Sequence, residues 1–198
     1  RSTCNKKMIY LSTGGFNKQT AIQSVKNLIK FGIYNIELSG GLYDSHLLND
    51  LKGLNSDINF QVHNYFPPPL NPFVFNLASL KSNLVETSFN HAKNAINFAA
   101  RLGCKYYSFH AGFLLDIEVD ELGKKIVKRK INPRDKALNI FINNVNKLSK
   151  IAENLNITLL IENNVLSKEN FDEFKVNLLL MTDPNECHEI MRIMPENV

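Results

Sequence analysis

Four side chains able to ligate a metal or move a proton stand at or beside the ends of short apolar runs. They are Glu37 in Ile33-Tyr-Asn-Ile-Glu-Leu38, His63 in Ile58-Asn-Phe-Gln-Val-His63, His110 in Lys105-Tyr-Tyr-Ser-Phe-His110, and Glu162 in Ile157-Thr-Leu-Leu-Ile-Glu162. Imidazole and carboxylate suit divalent ions such as zinc or manganese. A carboxylate beside such an ion can take the proton of a carbon acid next to a polarised carbonyl, or help activate a water for phosphodiester hydrolysis. Glu162 is the most pointed of the four, because an apolar strand gives a charge no structural reason to be there. A salt bridge would equally explain Glu37, and a structural hydrogen bond would explain either histidine. The carboxamides of Asn64, Asn163 and Asn164 follow two of these runs and could orient hydroxyls or cap backbone groups. His46, His91 and His188 fall on helix patterns and read as surface or packing residues.

The elements that must carry these groups follow from periodicity. A first strand runs from Lys7 into Gly14-Gly15, and Asn17 is the expected cap of a helix striped by Ile22, Val25 and Ile29 and ended by Gly32. A shorter helix spans residues 45 to 52. Phe66-Pro-Pro-Pro-Leu-Asn-Pro72 makes a stiff loop after His63, since proline fixes φ and removes a donor. Val85, Phe89, Ala92, Ile96 and Ala99 mark a long helix over 83–102, with Gly103 as its terminator. Residues 111 to 131 form a long connection with one helical turn, a length that is often functional. Asn132 and Pro133 predict a helix start with Asn as cap and Pro at its first position. Residues 163 to 176 read as loop, and Asp183-Pro-Asn-Glu186 opens a last helix. Strand followed by helix, five times without a hairpin signal, calls for an α/β fold with a parallel sheet. In such folds functional groups collect at the C-terminal ends of the strands.

The 198 residues suffice for a single domain, 1–198, with a substantial core, and 44% hydrophobic against 21% charged residues is ordinary for a globular protein. No apolar run reaches membrane-spanning length, and the opening residues lack the apolar stretch of a signal peptide. Cys4, Cys104 and Cys187 are scattered, odd in number and without a CxxC spacing, which favours a reducing, cytoplasmic setting. Cys104 reads as a small core residue. A net charge of +4 is too small to imply nucleic acid by itself. The run Lys124-Lys-Ile-Val-Lys-Arg-Lys130 is either a solvated face or a clamp for phosphate.

Four motifs, Val62-His-Asn-Tyr-Phe-Pro-Pro68, Phe75-Asn-Leu-Ala-Ser79, Ser108-Phe-His-Ala-Gly-Phe113 and Leu160-Ile-Glu-Asn-Asn164, give this chain its resemblance to the xylose isomerase-like barrel superfamily over residues 8 to about 192. That group holds sugar isomerases and epimerases and the endonuclease IV type of DNA repair enzyme. The resemblance implies a (β/α)8 TIM barrel with its site at the C-terminal strand ends. Glu162 corresponds to the strand-five carboxylate, a metal ligand in both branches. His63 and His110 match the strand-three and strand-four histidines, zinc ligands in the endonuclease branch; in the epimerase branch the fourth-strand histidine more often touches substrate.

Only five strands are legible, or six if Leu178-Leu-Leu-Met181 pairs, and the family's later metal ligands have no counterpart. The chain therefore reads as the first five or six β/α units, to be completed by a missing C-terminal segment or a partner. The leading expectation is a divalent-metal (zinc or manganese) sugar or sugar-phosphate isomerase/epimerase. Glu162 and His110 would be catalytic; His63, His110 and Glu162 would ligate the metal; Glu37, Asn64 and Asn164 would bind substrate. The alternatives are a zinc-dependent abasic-site nuclease, with DNA the less favoured partner, and a non-catalytic truncated barrel.

Overall fold

The computed structural model describes residues 9–16, 18–54 and 56–198. Cys4, the start of the first strand at Lys7 and the expected cap Asn17 lie outside the described residues. Five parallel strands, β1 (Leu11–Ser12), β2 (Asn35–Leu38), β3 (Asn59–His63), β4 (Tyr106–His110) and β5 (Thr158–Glu162), pair in sequence order. The intervening helices are α1 (Ala21–Lys30), α2 (Leu47–Lys52), α3 (Ser82–Leu102) and α4 (Arg134–Glu153). Two more, α5 (Lys168–Phe174) and α6 (Pro184–Met191), follow β5. Among the described residues no helix is long and apolar enough to cross a membrane.

Alternation along each strand decides what it buries. Ile36, Leu38, Val62, Tyr107, Phe109 and Leu159 are fully buried in the main core, together with Val25 and Leu28 of α1, Ile96 of α3 and Phe141 and Val145 of α4. Each such side chain contributes about 1.5–3 kcal/mol relative to exposure. The other face of the strands carries Glu37, Gln61, His63, Ser108, His110, Leu160 and Glu162 by register. Leu160 is exposed, so β5 is buried on one face only, because the described strands do not close the inner face. Cys104 belongs to the core as expected, and burial pushes its thiol up to about 12.

The helix starts depart from expectation in two places. Helix α1 begins after Thr20, whose hydroxyl accepts from Gln23 N while the Gln23 side chain accepts from Thr20 N, a reciprocal cap. At α4 it is Pro133, in extended conformation (φ −57°, ψ 128°), that occupies the cap position; Asn132 instead donates its backbone N–H to Leu114 O at 2.7 Å. Gly103 ends α3 with φ 78°, a left-handed conformation that glycine adopts at little cost.

Two corrections concern the stretch after β5. The expected loop 163–176 contains α5, capped by the Ser167 hydroxyl, a helix too short to show a periodicity. Leu178 to Met181 do not add a sixth strand. They lie antiparallel across the loop after β4, with Leu114 N on Leu178 O at 2.8 Å and Leu180 N on Gly112 O at 3.0 Å. On the free side of β5, Leu159 N donates to Asn197 O at 2.9 Å. A second, smaller apolar cluster of Val74, Leu115, Ile117, Ile126, Phe174, Leu178 and Leu179 sits among these loops.

Candidate metal centre at the strand ends

The last residues of β3, β4 and β5 converge because the strands are adjacent and parallel. His110 stands opposite Glu162, and His63 opposite Ser108, two residues before His110. His63 Nδ1 lies 3.2 Å from Glu162 Oε1 and His110 Nδ1 lies 3.9 Å from Glu162 Oε2. The two imidazoles meet edge-on, with ring centroids 5.2 Å apart. Each of the three residues offers a ligand atom within 4.8 Å of the others. This group fits a divalent ion: a carboxylate and two imidazoles, with His110 Nδ1 buried and lacking a hydrogen-bond partner.

His110 is held below the ordinary histidine range, first by burial and then by the facing His63, with Glu162, the Asn163 backbone and Glu37 pulling the other way. Neutral imidazole is the metal-binding form. His63 is oriented by Ser108, whose hydroxyl lies 2.9 Å from Nδ1. Ser108 was legible in the strand pattern, since it shares the face of His110 two residues away, but a serine carries no signal until its neighbour is known.

The remaining expected site residues are placed differently. Glu37 occupies the same inner face, in register with Ser12 and Gln61, and reaches His110 through its charge rather than by contact. Asn64 takes a left-handed conformation, φ 44°, directly after His63. Its backbone is fixed by Ser108 O at 2.6 Å and the Tyr107 hydroxyl at 3.0 Å, while its buried Oδ1 has no partner. Asn164 is buried, and its NH2 group donates to Ala111 O at 2.5 Å and Leu180 O at 3.0 Å. That ties the end of β5 to the loops beside it and leaves only its oxygen for a substrate. His46 and His188 are exposed, and His91 packs against Tyr65, Phe73 and Phe75.

One organising residue, Asn76, stands out in the sequence only as a member of the Phe75–Ser79 motif. Asn76 Oδ1 accepts from Ala78 N and Phe113 N, each at 3.0 Å, and its amide donates to Phe113 O at 3.2 Å. It locks the Phe75–Ser79 segment to the loop that leaves His110. The basic run is partly neutralised: Lys125 pairs with Glu173 at 2.8 Å and Arg129 pairs with Glu121.

Solved structures of similar shape include sugar epimerases. A D-tagatose 3-epimerase-like protein matches at a TM-score of 0.65 and 16% identity over 94% of this chain and 60% of its own. An L-ribulose 3-epimerase matches at 0.61 and 14% identity over 93% and 56%. The TTHB071 protein from Thermus thermophilus, soaked with ZnCl2, matches at 0.52 and 17% identity over 78% and 55%. This chain thus spans under two thirds of the length of each of these structures. A comparison with curated protein sequences yields no match. The family model described as xylose isomerase-like TIM barrel matches residues 26–186, the span that carries β2 to β5 and the whole strand-end cluster. With the ordered parallel sheet and the shared fold of those structures, this places the chain in the xylose isomerase-like TIM barrel family.

Proposed function

We propose that the chain is the first part of a divalent-metal sugar or sugar-phosphate isomerase/epimerase, acting by proton transfer next to a carbonyl. The observation that carries this reading is the convergence of His63, His110 and Glu162 within 4.8 Å at three adjacent strand ends. His63, His110 and Glu162 would hold the metal. Bound there, a zinc or manganese ion would polarise a substrate carbonyl oxygen and acidify the neighbouring C–H. Glu162, half-exposed on the open inner face, takes that proton and returns it. His110, held neutral, contacts the substrate or the ion. Glu37, Asn64 and the oxygen of Asn164 position hydroxyls. Lys124, Lys128 and Lys130, all exposed, are available to a phosphate. The remaining strands come from a C-terminal continuation or a partner laid against β5, whose free side already pairs with Asn197.

The same histidine pair beside Glu162 also supports the nuclease reading, and the net charge of +4 counts against it. Elemental analysis of the chain and a Glu162→Ala variant, both purified without chelator, tests the site. Stoichiometric zinc or manganese in the first and its loss in the second supports the proposal. Incubation of ketoses in D2O then reads proton transfer as deuterium at the carbon beside the carbonyl. Absence of metal from both proteins, even after added zinc, would sink the reading.

A further inference from the structure

We infer that the loops over the strand ends form a pocket for the apolar part of a ligand, an aryl or branched-alkyl group attached to the polyol held at those ends. The inference rests on the sugar reading above for the polyol only; the pocket stands on its own geometry. Phe113, Ile117, Leu122, Ile126, Val165 and Leu178 wall a cavity of about 280 Å3. A second cavity of about 190 Å3 shares Phe113 and Leu122 with it and reaches Asn64. In sequence, lining residues of the two cavities closely follow the candidate ligands: Asn64 follows His63, Phe113 stands three residues after His110, and Val165 three after Glu162.

The chemistry of the walls selects the ligand. Ile117, Ile126 and Leu178 are buried in an apolar cluster separate from the barrel core. Three of the polar side chains in the lining are already engaged: Glu121 pairs with Arg129, Asn170 Oδ1 accepts from Ile126 N at 3.0 Å, and Ser167 Oγ accepts from Asn170 N at 3.2 Å, while the exposed Lys124 and Glu169 also line the cavity. At the mouth, Val165 is 85% and Leu122 48% exposed, apolar surface that an apolar ligand would cover. An apolar cavity of about 150 Å3 accepts a benzene ring. The larger cavity therefore has room for one ring, while falling below the range of about 300–1,000 Å3 typical of drug-sized ligands. Phe113, between the two cavities, is the wall that would discriminate ring from chain.

The test uses this chain with added zinc and three probes: phenyl β-D-glucopyranoside, methyl β-D-glucopyranoside and phenol. Binding is measured by calorimetry, and the position of binding by amide chemical shifts in residues 113–126 and 165–170. The expected result is that the phenyl glucoside binds at least tenfold tighter than the methyl glucoside and shifts those amides. Leu122→Glu and Val165→Asp, at exposed positions, reduce the phenyl glucoside to the affinity of the methyl compound, with unchanged urea midpoints as the folding control. If phenol shifts those amides while neither glucoside binds, the pocket stands and the sugar reading fails. Equal affinity of the two glucosides, or unshifted amides with both phenol and phenyl glucoside, overturns the pocket whether or not the methyl glucoside binds.

Discussion

Gly112 packs against Ala78 so closely that a Cβ at residue 112 would stand 2.3 Å from the Ala78 Cβ and 2.8 Å from Asn76 Oδ1. Two motifs far apart in sequence, Phe75–Ser79 and His110–Phe113, interlock through this contact and the Asn76 hydrogen bonds. Gly112→Ala must push the loop after β4 away from Asn76. Overpacking of this kind costs about 1–3 kcal/mol. The urea midpoint is expected to fall accordingly, and metal affinity with it, because His110 sits two residues away.

Ser108 lies 2.9 Å from His63 Nδ1 and fixes the ring beside Glu162. Groups that orient a metal-binding histidine change affinity by about 10–100-fold when removed. Ser108→Ala is expected to weaken zinc binding by at least tenfold while the circular dichroism spectrum stays unchanged. Competition with a chromogenic chelator reads the difference.

His91 is 7% exposed and its pKa is lowered to about 4, by burial first. The unfolded chain takes up this proton near the ordinary 6.5, so between those values it binds more protons at residue 91 than the folded protein. Stability therefore rises with pH across that window and is lost as pH falls from 6.5 towards 4. The full loss attributable to His91 is about 3 kcal/mol, at about 1.4 kcal/mol per pH unit. His91→Phe keeps a ring beside Tyr65, at 5.1 Å in the native stack, and removes the titration. Urea midpoints at pH 7 and 4.5 should differ less in this variant than in the parent chain.

Arg134, in the first turn of α4, grips Glu186 of α6 with two bonds of 2.8 and 2.6 Å, and Glu186 also accepts from Met181 N at 2.7 Å. Arg134 reaches Leu179 O as well, at 2.9 Å. Bonds to charged groups contribute about 1.5–3 kcal/mol. Glu186→Ala is expected to cost about 2 kcal/mol and to speed hydrogen exchange in residues 177–191 far more than in β2 to β4.

The strands, α1 to α4 and α6 were legible in the sequence because hydrophobic spacing reports which face of an element is buried, and that is a local property. The candidate ligands His63, His110 and Glu162 were legible because each interrupts such a pattern where a strand stops. Periodicity says nothing of an element too short to repeat, so α5 escaped it, and spacing could not choose between Asn17 and Thr20 as a cap. The path of Leu178–Met181 was decided in three dimensions: an apolar run looks the same whether it pairs beside β5 or, as here, crosses the loop after β4. The partnership of Ser108 with His63 depends on inter-strand register, and the lock of Asn76 on Phe113 on how two loops pack; these join residues 45 and 37 positions apart. The physical reason is that a side chain's type follows from the sequence, while the atom it meets is set by how separate elements pack.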